Sequence, residues 1–346
     1  MTLRLRWLLM ALLAGMLATS TLACTNTDSE DETTSGEESA ADDGATDAED
    51  DADSEDEGDD ADEAEAEDDE DVDDGSLGSA SNPIVISYVP SGEQEDIVTG
   101  AGAIESLLEE ETGLEFQSNV ATSYAAVVEA MGAGNAHVGF LNTFSYLLAH
   151  EKYEVRPILV AERFGTTSYA SILITREDGD IAGIDELSGK KFCRPDALST
   201  SGWIIPSVML KAVGIEESDL DVVDAGGHDG VVTAVYNGDC DAGAVYDDAR
   251  SSIEDEFPDV KEAVFILETS DDIPNDGVSV AVEIDEELGQ RITDALMAIA
   301  ASEEGAEALS TAYGIEAFAL TDDTFYDDFR TTLDAAGVDV SELADS

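Results

Sequence analysis

YAAVVEAMGAGNAHVGFL (residues 124–141) and HDGVVTAVYNGDCDAGAV (residues 228–245) are two copies of one pattern, 104 positions apart. Shifted by that distance, Val127 falls on Val231, Val128 on Val232, Ala130 on Ala234, Gly134 on Gly238 and Gly139 on Gly243, with Asn135 on Asp239. Each copy reads as a short helix, a glycine that ends it in a left-handed turn, and a short strand. Recurrence at this spacing predicts two similar α/β lobes, each contributing one such unit. Tyr124 and His228 open the two helices. The competing reading is chance likeness between two ordinary helix–turn–strand units.

The flanking sequence keeps the alternation. IVISYV (84–89) precedes AIESLLEEETG (103–113), and VGFL (138–141) precedes SYLLAHE. YASILIT (169–175), KKFCRP (190–195) and AVFIL (263–267) are further apolar runs of strand length. Strands alternating with helices across Gly-containing turns predict largely parallel sheets built from βαβ units. A helical tail is expected from about Glu286 to Glu304 and again near Asp323 to Ala336. The roughly 265 residues from Asn82 onward suffice for one large or two modest lobes. The division expected is 76–178 for the first part of lobe 1, 179–272 for lobe 2, and 273–346 for the return to lobe 1 and the C-terminal helices.

What precedes residue 76 reads differently. Residues 1–24 carry Arg4 and Arg6, an apolar run from Trp7 to about Ala18, and small residues before Cys24, the pattern of a secretory signal peptide. The run is short against the ~20 residues of a membrane span. Thr21-Leu22-Ala23-Cys24 resembles a bacterial lipobox, which makes Cys24 the expected lipidation site; ordinary cleavage near Ala23 is the alternative. Residues 25–75 hold 28 Asp and Glu and no Lys or Arg. Such a stretch cannot bury enough apolar surface to offset chain entropy, and its charges repel, so a disordered acidic tether is expected.

From residue 76 onward, 54 acidic residues face 12 basic ones, a formal charge of −42. Neutralising nucleic-acid phosphates requires a basic footprint, so a nucleic-acid partner is excluded. A surface this acidic suits high salt, where repulsion is screened. Any anion would have to be held by local dipoles against an adverse field.

PDALSTSGWIIP (195–206) offers such dipoles. Ser199, Thr200 and Ser201 stand at a helix start, where hydroxyls ordinarily cap free backbone N–H groups. The same hydroxyls, N–H groups and helix dipole also make a small anion site. The stretch alone fits both readings.

Read together, Tyr124-Ala-Ala-Val-Val-Glu-Ala-Met with Gly139-Phe-Leu, Ser199-Thr-Ser-Gly-Trp with Pro206, Gly227-His228-Asp229 with Gly238-Asp-Cys-Asp-Ala-Gly, and Ile273-Pro-Asn-Asp276 resemble the phosphonate, phosphite and phosphate substrate-binding proteins of ABC importers. The likeness runs from about residue 83 to about 310 in motif order and approximate spacing. Ile184-Asp-Glu-Leu-Ser-Gly-Lys resembles a turn common in type II periplasmic-binding folds. The resemblance implies an α/β, two-lobed, type II periplasmic-binding-protein-like fold with a ligand cleft between the lobes. It also implies an ABC permease partner, no cofactor and no enzymatic activity.

By motif match, a phosphorus oxyanion would be held by Ser199, Thr200, Ser201, Tyr124 and His228. Hydroxyls and helix-start N–H groups suit that task, since they give charge-assisted hydrogen bonds without a countercharge. At the far end of the ligand, Asp276 matches an acidic position that helps hold the ammonium group in aminoalkylphosphonate binders. Asp247, Tyr246 and Asp248 follow a strand where another acidic contact occurs. The alternative is that these aspartates are solvated or turn-forming. Tyr169 is expected either to line the cleft or to belong to the core. Asn142 and Thr143 stand where the family often carries Gly-Pro.

Other functions on the same fold are binding of Fe³⁺ through Tyr, His and Asp, or of a sulfonate or another oxyanion. A secreted hydrolase using Ser199 or Ser201 with His228 would lack the nucleophile-elbow G-x-S-x-G around either serine. Apart from Cys24, the chain has Cys193 and Cys240. In an exported protein these form either one bridge between neighbouring strands or two buried thiols. His137 and His150 have no ligand-like spacing, and no metal site is expected.

Overall fold

The computed structural model describes residues 75–340; the signal segment, Cys24 and the acidic tether lie outside them. In chain order the first stretch runs β1 (Ile84–Tyr88), α1 (Gln94–Thr112), β2 (Phe116–Val120), α2 (Tyr124–Gly132), β3 (Val138–Leu141), α3 (Thr143–Tyr153), β4 (Arg156–Glu162) and β5 (Ser168–Tyr169). The middle runs β6 (Ser171–Arg176), β7 (Lys191–Arg194), α4 (Ile205–Ala212), β8 (Asp221–Asp224), α5 (His228–Asn237), β9 (Ala242–Tyr246), α6 (Val260–Ala263) and β10 (Val264–Thr269). The chain ends with β11 (Ile273–Pro274), β12 (Gly277–Val280), α7 (Glu286–Ala301), α8 (Glu303–Tyr313), β13 (Ala317–Leu320) and α9 (Asp327–Ala335).

Two sheets result. The first has six strands in the order β13-β4-β12-β3-β1-β2, the second five in the order β10-β6-β9-β7-β8. In the first, β1 runs parallel to both β2 and β3; in the second, β7 runs parallel to both β8 and β9. An antiparallel strand follows each triplet, β12 beside β3 and β6 beside β9. Helices cover the sheets, so the central strands read as continuous apolar runs, with Ile84, Ile86 and Tyr88 wholly buried in β1.

The repeat is one structural unit used twice. Gly134 and Gly238 both take left-handed backbone, with φ of 68° and 76°. The next residues return identical bonds: Asn135 N–H to Ala130 O and Asp239 N–H to Ala234 O, each 2.8 Å. His137 N–H then joins β1 at Val85 O (2.8 Å), and Asp241 N–H joins β7 at Lys191 O (3.0 Å). Gly139 and Gly243 let each helix lie against its strand. A Cβ at either would meet Met131 Sδ at 2.5 Å or Val231 Cγ1 at 2.6 Å. Cys193 and Cys240 form a disulfide, Cα–Cα 6.0 Å, tying β7 to the turn between α5 and β9.

Two details differ from the sequence reading. The run 169–175 divides: Ser168–Tyr169 pairs antiparallel with Ile273–Pro274, while Ser171–Arg176 joins the second sheet. Strand pairing therefore switches to the second sheet near residue 170, because strand partners are chosen across long sequence distances that an apolar run does not record. The helical tail is also cut at Ser302, whose hydroxyl accepts from Gly305 N–H and starts a new helix. The chain passes between the sheets at the β5 and β11 pair.

Candidate functional site

The carboxyl ends of the parallel strands from both sheets face one cavity of about 590 Å³. This is the position that open α/β sheets offer to ligands. Ser199, Thr200, Ser201, Tyr124, His228, Asp276, Asp247, Tyr246 and Tyr169 all line it, as does Asp248. The structure thus gathers every cleft residue named from the sequence.

The hydroxyl run forms the inner wall. Ser199 caps one turn of π-helix (200–204) that leads into α4, its Oγ accepting from Gly202 N–H at 3.1 Å. The expected ordinary helix start is therefore a wider turn, which leaves all three hydroxyl residues 1–2% exposed. Thr200 Oγ1 accepts from Asn142 Nδ2 at 2.8 Å and from Phe144 N–H at 2.9 Å. With both acceptances filled from the other lobe, its own proton points elsewhere.

Tyr124 and His228 sit at equivalent places, each the first residue of its repeat helix. Both are buried. Burial raises the Tyr124 phenol well above its usual pKa, so it remains an O–H group. His228 Nδ1 accepts from Tyr246 N–H at 3.3 Å, which places the ring proton on Nε2, 3.4 Å from Ser199 Oγ. Burial pushes its pKa down to about 3, against a smaller opposing pull from the Asp276 charge. His228 is thus a neutral donor aimed at the hydroxyl run.

A titration tests this. The folded protein keeps His228 neutral, whereas the unfolded chain protonates it near pH 6.5. Its contribution to stability is therefore whole above that pH and lost progressively toward pH 3, at most about 5 kcal/mol. Nitrogen-15 NMR should show Nε2 protonated, Nδ1 bare, and no ring titration from pH 8 down to 4.5. A midpoint near 6.5 would contradict this geometry.

Further bonds join the lobes around the cavity. Tyr124 N–H reaches Asp196 Oδ2 at 3.3 Å, Asn142 Nδ2 also donates to Leu198 O at 2.8 Å, and His228 N–H donates to Ser91 O at 3.0 Å. Asn142 aligns with Tyr246 in the repeat, and both close a strand at the cavity. The sequence reading gave Asn142 no role; its amide and the α3 start fasten Thr200 from across the cleft.

The carboxylates are not alike. Asp276 lies in a two-pronged ion pair with Arg163, Nη1 to Oδ1 2.5 Å and Nη2 to Oδ2 2.9 Å. Asp247 is exposed at the cavity, yet its pKa is raised, first by desolvation. Asp229, also at the cavity, is raised for the same main reason. Arg163 went unnoticed in the sequence; its one signal is scarcity, as the sole Lys or Arg among the cavity-lining residues. Among the described residues, no helix is long and apolar enough to cross a membrane.

Known proteins resemble this chain. Phosphate-import protein PhnD of Mycolicibacterium smegmatis is 33% identical over 176 residues, 47% of this chain and 55% of that protein. The match thus spans about half the length of this curated relative. A binding protein component of an ABC phosphonate transporter from Pseudomonas aeruginosa superposes with a TM-score of 0.67 at 16% identity, covering 73% of this chain and 86% of that one. A Prochlorococcus marinus protein solved in complex with methylphosphonate gives 0.65 at 14% identity, covering 74% and 98%. At such identities these structures establish the fold, a type II periplasmic-binding architecture. The family model for phosphonate ABC transporter periplasmic substrate-binding proteins matches residues 86–326. The chain belongs to that family, which serves transport rather than catalysis.

Proposed function

We propose that this protein captures a phosphorus oxyanion, whether phosphonate, phosphite or phosphate, and delivers it to an ABC permease from outside the cytoplasm. The observation that carries the reading is the convergence of Ser199, Thr200, Ser201, Tyr124 and His228, uncharged donors from both lobes, on one cavity. Neutral donors hold an oxyanion through directed hydrogen bonds and release it without separating opposite charges. An oxyanion touching both lobes favours their closed arrangement by its differential affinity for that state, and the β5–β11 crossing serves as the hinge. The relatives' named ligands, methylphosphonate and phosphate, belong to the same chemical class.

Calorimetric titration of the purified chain with phosphate, phosphite, methylphosphonate and ferric citrate, at low and high salt, tests the proposal. Tight binding of a phosphorus oxyanion supports it; heat from iron alone, or from none of these, defeats it.

Lipid attachment at Cys24 and a spacer of residues 25–75 complete the proposal. Cys24→Ala should shift the protein from the membrane fraction to the soluble one. Deleting 25–75 should leave ligand affinity within twofold, and a larger loss would give the acidic stretch a part in binding.

A further inference from the structure

The family resemblance assigned Asp276 to an ammonium group, and the geometry does not leave it free for one. Arg163 follows β4 in a two-residue turn closed by N–H to O bonds of 3.0 Å in both directions between Arg163 and Thr166. Its guanidinium is held twice over, by Asp276 and by Tyr313 O, at 3.1 Å from Nε and 3.0 Å from Nη2. Asp276 is equally fixed. Its carbonyl accepts from Ala161 N–H at 2.9 Å, and the wholly buried Asn275 beside it donates to Ala161 O at 2.9 Å. Both ions line the cavity that receives the hydroxyl run.

A carboxylate with both oxygens in a guanidinium fork has its charge largely cancelled and its best acceptor directions filled. An alkylammonium arriving there would shed water and meet a cation before gaining an anion. Asp247 remains as an unneutralised carboxylate, and Arg163 acts on it too, as an attractive charge. The cation thus pairs with one of the two aspartates that would otherwise form an ammonium subsite and acts electrostatically on the other.

We infer that Arg163 is a specificity-determining residue that closes the ammonium subsite at Asp276 and biases the cleft toward phosphorus oxyanions whose substituent carries no positive charge. This rests on the oxyanion reading above and names the substrate class within it. Ethylphosphonate and 2-aminoethylphosphonate differ by the amine alone, so their dissociation constants measure the effect directly. The full chain should bind ethylphosphonate at least 10-fold more tightly than 2-aminoethylphosphonate. Arg163→Met should reduce that ratio at least 10-fold by releasing Asp276, and adding Asp276→Asn to it should restore the ratio.

The wild-type ratio is itself a measurement that stands even if Arg163→Met fails to fold. Wild-type preference for the amine, or a ratio unmoved by Arg163→Met, would each overturn the inference. In those cases binding of an oxyanion persists and only this inference fails. Absence of binding to phosphate and both phosphonates would remove the oxyanion reading, and this one with it.

Discussion

Replacing Ser199 and Thr200 together by alanine is expected to weaken oxyanion binding at least about 100-fold while leaving the protein folded. Each hydroxyl lost removes a hydrogen bond to a charged group, typically ~1.5–3 kcal/mol, so two give roughly 3–6 kcal/mol. The variant is not silent toward stability. Thr200 Oγ1 accepts from Asn142 Nδ2 and Phe144 N–H, and its removal leaves two donors at the lobe boundary without their acceptor. That costs about 1–3 kcal/mol for each donor that water does not reach, within the stability of an ordinary domain. Calorimetric titration reads the first effect and thermal unfolding the second. Affinity retained within 10-fold in a folded variant would place the oxyanion elsewhere in the cavity.

The second large effect concerns the repeat. Gly139 and Gly243 are equivalent in the alignment, yet alanine should be far costlier at Gly243. Its Cβ would lie 2.6 Å from Val231 Cγ1 and 2.8 Å from the Cys193 carbonyl oxygen, which belongs to the paired strand and cannot yield without disturbing the sheet. Overpacking of this kind costs about 1–3 kcal/mol or more, and Val231 is β-branched and stiff. At Gly139 the encroached atom is Met131 Sδ at 2.5 Å, the far part of a flexible side chain that repacks readily. Chemical denaturation should show Gly243→Ala losing at least ~1.5 kcal/mol more than Gly139→Ala. Equal losses would mean that the backbone contact is relieved by a shift of β7 rather than resisted.

The comparison explains why a sequence repeat can be legible while its energetics are not. The shared glycines record the close approach of a helix to a strand, and that follows from the chain itself. Which atom presses on each glycine depends on the neighbouring strand, in one lobe a carbonyl of β7. The hydroxyl run behaves the same way. Capping and anion binding both call for Ser and Thr before a helix, and residues 195–206 alone do not separate them. The proposed anion site rests on the cavity, where Tyr124 and His228 reach the same wall from helices 104 positions apart in the chain.

The sequence by itself determined the alternation of strands and helices, the duplicated unit, the family resemblance and several of the side chains that line the cleft. These are written in local periodicity, in turn glycines and in motif order, which need no knowledge of partners. Tertiary structure alone decided that β6 crosses to the second sheet, that Thr200 is fastened by Asn142, 58 positions away, and that Asp276 is neutralised by Arg163, 113 positions away. Charge pairing and strand pairing are choices among many distant candidates, and a chain with 82 acidic residues offers no local sign of which carboxylate a scarce arginine will take.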